Sequence, residues 1–239
     1  MALKWRKFHL RIRQLNFINY RGRIWLTILK KEEKQFYRSG KKPELVDVPQ
    51  MQYLAVQGQG DPNQEGGEYK QDLQLLYSLA YTIKMGKKGT HQIKDYFDFV
   101  VPPLEGFWWQ DGVEGIDYAH KEKFNFISCI RMPDFVTDDV LTWTKKEAAV
   151  KKGLDFSPVK LLTLTEGKCV QIMHHGSYDD EPATIDKMHQ FITENNLKLD
   201  FSDKRRRHEI YLSNPQRTKV ENLKTIIRLP VKEKKMNND

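Results

Sequence analysis

QYLAVQGQGDPNQEGGEYKQDLQLLYSLAYTI (52–83) is the stretch whose pattern decides the fold. Its first eight residues are rich in β-formers and end at Gly58-Gln59-Gly60-Asp61-Pro62, a turn signal. A polar loop through Gly66-Gly67 follows. Leu73, Leu76, Ala80 and Ile83 then recur at helical spacing, the apolar stripe of an amphipathic helix that Gly86 and Gly89 close. The same grammar returns in CVQIMHHGSYDDEPATIDKMHQFI (169–192). A strand runs into Gly176, an acidic loop follows, and a helix opens at Asp180-Glu181-Pro182 with Pro in its first turn. Ile185, Met188 and Ile192 carry its stripe, and Asn195-Asn196 ends it.

Working outward, Tyr96–Val101 and Phe124–Arg131 read as two strands that complete the first round. The second round begins at Pro133. Thr137 is a fitting N-cap, with Asp138 and Asp139 in the favoured first turn, and Gly153 stops that helix after Lys152. Leu161–Leu164 and Cys169–His175 suggest a hairpin around Glu166-Gly167, and His208–Leu212 and Leu223–Leu229 are the last strands. The expected fold is therefore α+β: two β-α-β-β units related by a pseudo-two-fold, with halves at about 43–132 and 133–231. Helices would cover one face of an antiparallel sheet, leaving the other face free to form a ligand cleft.

Composition limits the function classes. Residues 1–42 hold 13 Lys+Arg and 2 Asp+Glu, whereas the remainder holds 27 and 30. The basicity belongs to the N-terminal arm and not to the body, so nucleic acid is not an expected partner. Residues 1–30 are expected to be a poorly ordered extension, with the domain proper spanning 31–239. No apolar run is long enough for a membrane span and no secretory signal stands out, so a cytoplasmic protein is expected. Cys129 and Cys169 lack CxxC spacing and read as buried free thiols. His174 and His175 are adjacent and would face opposite ways in a strand, so no metal site is expected there. No motif calls for a cofactor. Lys204-Arg205-Arg206-Arg207 reads as a solvated turn.

Two carboxylates draw notice. Side chains of a strand alternate faces. Glu209 and Tyr211 therefore share a face opposite Ile210 and Leu212, which are expected under the helices. Glu105, Phe107 and Trp109 likewise share one face, as do Gln57 and Gln59, and Met173 and His175. If these sets coincide, one concave face collects two acids, a phenol, aromatic walls and a few polar anchors, the make-up of a small-molecule site. Glu209 as an ordinary surface residue and Trp108-Trp109 as plain core are the competing readings.

The segments PELVDVPQMQYLAVQGQGDPN (43–63), PPLEGFWWQDG (102–112), FISCIRMPDFVT (126–137), HHGSYDDEPATIDKMHQF (174–191), HEIYLSNP (208–215) and LKTIIRLPV (223–231) resemble the GyrI-like family, above all its stand-alone bacterial members. The likeness extends from about residue 31 to 231, and one departure is Asn214, where relatives usually carry Asp. It implies a pseudo-two-fold domain with a small-molecule cleft at the junction of its halves. It also implies flat, aromatic or cationic drug-like ligands and, in some members, hydrolytic opening of a cyclopropane ring. Glu209 is then expected as the base, with Tyr211 or Glu105 polarising a carbonyl. Trp109 would stack on the ligand, with Phe107, Gln57, Gln59, Met173 and His175 around it. A non-catalytic drug-binding or sequestering module, or a gyrase inhibitor with DNA gyrase as partner, are the alternatives.

Overall fold

The computed structural model describes residues 35–86, 91–113 and 115–234. The expected extension at residues 1–30 lies outside them. In chain order the elements are β1 (Glu44–Gln59), α1 (Glu68–Met85), β2 (Leu104–Trp109), β3 (Asn125–Arg131), α2 (Asp138–Lys152), β4 (Lys160–His175), α3 (Glu181–Glu194), β5 (Leu197–Leu199), β6 (Arg207–Tyr211) and β7 (Lys224–Glu233). The expected α+β class with an antiparallel sheet is what the chain forms. The strands follow the order β4-β1-β3-β2-β6-β7-β5, and β4 also pairs with β7, which closes six of them into a ring. The repeat is visible as β1-α1-β2-β3 and β4-α3-β6-β7, with α2 inserted between the halves and packed on α1.

Local chemistry explains several boundaries. Thr137 caps α2 by accepting from the Val140 N–H, and Gly153 ends it at φ 64°, a left-handed conformation that glycine adopts without a Cβ clash. Gly60 and Gly176 end β1 and β4 at φ 119° and 115°. Their N–H groups donate to Phe124 O and Leu223 O at 2.8 and 3.1 Å, so the two turns are structural counterparts.

Two expected elements differ. Tyr96–Val101 is not a strand; Leu104–Trp109 takes that place, and Tyr96 and Phe99 instead pack their rings against Phe135. Nor does the chain reverse at Glu166-Gly167. There β4 continues as one strand through Gly167 at φ 63°. Leu162, Leu164 and Cys169 all join the same inner cluster, so the facing parity shifts by one residue at this point, while the pairing register with β1 runs through it unchanged.

Helix α1 packs on β1 and β3, and α3 on β4 and β5. The central pair β2 and β6 lies between them, and no helix covers it. The helix-free face is not open. It is the interior of the ring, filled by Met51, Tyr53, Phe107, Cys129, Cys169, Ile210 and Ile226 and plugged by Phe36 and Tyr37. Both cysteines are buried and free. Among the described residues no helix is long and apolar enough to cross a membrane.

Candidate functional site

Strand parity places the candidate residues. Glu105 pairs with Ile210 and Phe107 with His208, so these four face the ring interior together. Gly106 pairs with Glu209 and Trp108 with Arg207, so these four face outward, into the groove that α1 and α3 flank. The expected coincidence of Glu105 and Glu209 on one face is therefore overturned: they stand on opposite faces of adjacent strands. Ile210 belongs to the ring interior and not to the layer under the helices.

The remaining expected ligand residues fall with Glu105. Phe107 stacks on His208 at 4.1 Å between ring centroids. Met173 is half-buried beside the inner cluster. Gln57, Gln59 and His175 are exposed at the strand ends. Trp109 lies half-buried with the Arg206 guanidinium 4.6 Å from its ring centroid. None of them reaches the groove.

The interior acid accepts a hydrogen bond at one oxygen and lies beside an imidazole at the other. Tyr37 OH donates to Glu105 Oε1 at 2.8 Å, and His208 Nε2 lies 2.9 Å from Glu105 Oε2. His208 Nδ1 is 2.9 Å from Glu166 Oε2, and Arg228 Nη1 donates to Glu166 Oε1 at 3.0 Å. Burial alone would lower the His208 pKa, but Glu166 and Glu105 outweigh it and raise it. Burial alone would raise Glu166, yet His208 and Arg228 hold it down to about 2. Glu166, His208 and Arg228 thus offset one another's charge in the ring interior, beside Glu105.

The groove face holds a second network. Trp108 Nε1 donates to Tyr211 OH at 2.8 Å, and Tyr211 OH donates to Glu209 Oε2 at 2.9 Å. Arg207 Nε lies 2.9 Å from Glu209 Oε1, and the same guanidinium donates to Tyr118 OH at 2.7 Å and pairs with Glu181 Oε2. Glu181 is 1 % exposed, and its Oε1 finds no partner among the described residues. Burial, then the charge of Glu209, raises the Glu181 pKa. Aromatic rings enclose the network. Tyr69 lies 5.6 Å from Trp108 and 5.2 Å from Phe126, and Tyr178 meets Tyr211 edge-on at 5.9 Å. The loop bearing Tyr118 is fastened by Gln110, whose amide donates to Asp117 O and His120 O.

The pairing registers show how the pseudo-two-fold builds this site. They superpose Gly106 on Glu209 and Trp108 on Tyr211. The half with the acid is thus matched by a half with an empty position. A Cβ at Gly106 would lie 2.6 Å from Trp108 Nε1 and 3.1 Å from Tyr211 OH. Glycine is what lets the indole cross the axis and meet the phenol.

Sequence reasoning missed Glu181, Arg207, Tyr69, Tyr118 and Tyr178. Glu181 reads as a favourable first-turn acid. Arg207 reads as the end of a solvated basic run, yet it is 4 % exposed inside β6. Of that run, Arg205 is also pinned, donating through Nε to Glu166 O at 2.9 Å. A separate open groove of about 500 Å³, lined by Gln110, Val113, Leu199, Phe201, Asp203 and Arg206 among others, lies apart from the acid network.

The model of the GyrI-like small molecule binding domain matches residues 41–232. A solved hydrolase from Listeria innocua is 47 % identical, with a TM-score of 0.77, over 85 % of this chain and 98 % of its own. An uncharacterized conserved protein from the same organism is 48 % identical with a TM-score of 0.80, over the same shares of the two chains. The EcmrR C-terminal domain, 10 % identical with a TM-score of 0.50 over 81 % of this chain and 98 % of its own, shares the fold alone. No curated protein is similar enough to match. On the extent of the family match and of the identity to the Listeria proteins, this chain belongs to the GyrI-like family of small-molecule binding domains.

Proposed function

We propose that the groove over β2 and β6 binds a planar aromatic molecule and hydrolyses a strained, electrophilic ring in it, a cyclopropane conjugated to a carbonyl. The observation that carries this reading is the bridging of Glu209 and Glu181 by one guanidinium in unlike surroundings. Burial raises the Glu181 pKa, so Glu181 can serve as an acid beside a second carboxylate that can accept a proton.

Glu209 is the base. Its oxygens accept from Tyr211 and face Arg207, but a carboxylate offers about four lone-pair positions, so a water can still donate to it. Glu181, kept protonated by burial, is the acid. The water oxygen attacks the cyclopropane carbon and gives its proton to Glu209. The carbon–carbon bond breaks, its electron pair moves into the conjugated system, and the oxygen that becomes negative takes the proton of Glu181. One water is consumed and the net charge is unchanged. Tyr211, whose one O–H is given to Glu209, steadies the base. Trp108 and Tyr69 supply the flat walls. General acid–base assistance of this kind is worth about 10²–10⁴-fold. The Listeria relative described as a hydrolase supports a hydrolytic reading. Glu105 is not given a chemical role, because every contact it makes is inside the ring.

The test is to incubate the protein with a cyclopropane-bearing planar antibiotic and follow the ring-opened, water-added product by mass spectrometry. Wild type turns over. Glu209→Gln falls by about two to four orders of magnitude with affinity nearly kept. Binding without product in the wild-type protein would reduce the function to sequestration or sensing of such molecules.

A further inference from the structure

The connection between β2 and β3 reaches across to the other half of the molecule, and Tyr118 is where it lands. Gln110, 4 % exposed, shapes it: its Oε1 accepts from the Asp117 N–H at 2.6 Å, and its Nε2 donates to Asp117 O and His120 O at 3.1 and 2.9 Å. Asp117 tightens the same turn, accepting from the Ala119 N–H at 2.9 Å and lying 2.6 Å from His120 Nδ1. Ile116 packs on the cluster of Trp108, Phe124 and Phe126. Lys121 pairs with Asp179 at 3.1 Å, two residues before Glu181. A turn tied down in this way holds its side chain in one place.

That place is beside the guanidinium that the two glutamates share. Arg207 Nη1 donates to Tyr118 OH at 2.7 Å, and Tyr118 OH donates to Glu181 Oε2 at 3.2 Å. Arg207 Nη2 donates to the same Oε2. A phenol has one O–H, and here it is directed at Glu181; the cation that donates to the phenol oxygen makes that O–H a stronger donor. Glu181 Oε2 therefore accepts twice and is not the oxygen that holds a proton. A proton on Glu181 sits on Oε1, which has no hydrogen-bond partner among the described residues. A buried polar atom in that state is costly unless a molecule from outside the chain meets it.

We propose that Tyr118 is a positioning residue of the groove: by occupying Glu181 Oε2 it confines the proton of Glu181 to Oε1 and sets how readily that proton leaves. The inference rests on the functional reading above and deepens it, because it names the oxygen from which the acid donates and the residue that selects it. Burial, then the charge of Glu209, raises the Glu181 pKa, and the hydrogen bond from Tyr118 acts against them by favouring the charged carboxylate. Without that bond the proton is held more tightly. The charged and titratable groups facing Glu181 are Arg207, Glu209 and Tyr211 of β6, Tyr118 of this connection and Tyr178 of the turn before α3.

The test follows the protonated-carboxyl stretch of Glu181 by infrared spectroscopy from about pH 5 to about pH 10, as the difference between each protein and the same protein carrying Glu181→Gln. The full chain is compared as wild type, Tyr118→Phe and Tyr178→Phe. Tyr118→Phe keeps a half-buried ring and removes one hydroxyl. The carbonyl oxygen of Glu181 loses one of its two donors, so the band moves to higher wavenumber, and its titration midpoint rises by about one pH unit. Tyr178→Phe, which takes a hydroxyl from the same corner, leaves both unchanged. In turnover of a cyclopropane-bearing planar antibiotic, kcat of Tyr118→Phe falls about three- to tenfold with KM within about twofold, and the alkaline limb of its pH profile moves up with the infrared midpoint. A band that stays in place in Tyr118→Phe, or that moves equally in Tyr178→Phe, overturns the inference. If the infrared shifts appear but the wild type forms no ring-opened product, the hold of Tyr118 on the Glu181 proton stands and the hydrolytic reading falls. If the wild type turns over and Tyr118→Phe keeps the wild-type alkaline limb, the hydrolytic reading stands and this inference falls. If the wild type shows no Glu181 band at neutral pH, both fall.

Discussion

Two adjacent tryptophans divide the residue-scale chemistry. Trp108 and Trp109 alternate across β2, and only Trp108 reaches the groove, where its N–H holds the Tyr211 hydroxyl. Trp108→Phe keeps a ring in the wall but removes that donor. Its affinity for planar ligands is expected to fall by about 1–2 kcal/mol, while Trp109→Ala stays within about 0.5 kcal/mol, in titrations at matched fraction folded. The reverse result would return the site to the ring interior. Glu105 gives the complementary prediction. Glu105→Gln leaves the buried His208 with one anionic partner instead of two, and is expected to cost about 3 kcal/mol in urea unfolding with ligand affinity unchanged. A stable variant that loses turnover would restore Glu105 as the group that polarises the carbonyl.

At the scale of elements, the groove exists because helices cover four outer strand faces and spare the two on the pseudo-symmetry axis. The bare position at Gly106 is what admits the indole. Gly106→Ala places a methyl 2.6 Å from Trp108 Nε1, so the indole or the phenol must give way. The expected result is about 1–3 kcal/mol lost in stability and a larger fractional loss of ligand affinity, because the displaced contact lies in the site. Comparing unfolding midpoints with ligand titrations for this variant separates the two effects. Tyr96–Val101 has strand-like composition without strand structure. It has the aromatic and branched residues of a strand, but its rings serve the α1–α2 layer around Phe135 while the ladder position goes to Leu104–Trp109.

The whole molecule is organised by closure of the ring. Once β4 pairs with both β1 and β7, the helix-free face becomes a second core, and that core must neutralise the charges placed in it. Its dependence on pH follows. Glu166 has a folded pKa of about 2, below its ordinary 4.5, so its contribution is complete above about pH 4.5 and is lost as pH falls toward 2. The size is on the order of 3 kcal/mol. A urea series from pH 6 to pH 2 should show that loss, and Glu166→Gln should be less stable at pH 6 but flatter through the acid range. Parallel curves for the two proteins would mean the ion pairs do not set the acid limit.

The sequence by itself determined the repeat, the order of most elements and the alternation within each strand. Those depend on local chemistry: glycine where φ is positive, a threonine cap at Thr137, apolar residues at helical spacing. Alternation correctly joined Glu209 to Tyr211, and Glu105 to Phe107 and Trp109. It could not say which set lies under the helices. A period of two fixes faces relative to one another within a strand, and between strands only register relates them. Ile210 and Leu212 looked like the helix-facing set because apolar residues seek a core, but a closed ring has a core on either side. The tertiary structure alone decided that the interior takes Glu105 with His208, and that the groove takes Glu209 with Arg207, Glu181 and Trp108. Contacts between residues 26 to 103 positions apart, such as Arg207 with Glu181 and Trp108 with Tyr211, exist only once the sheet has closed.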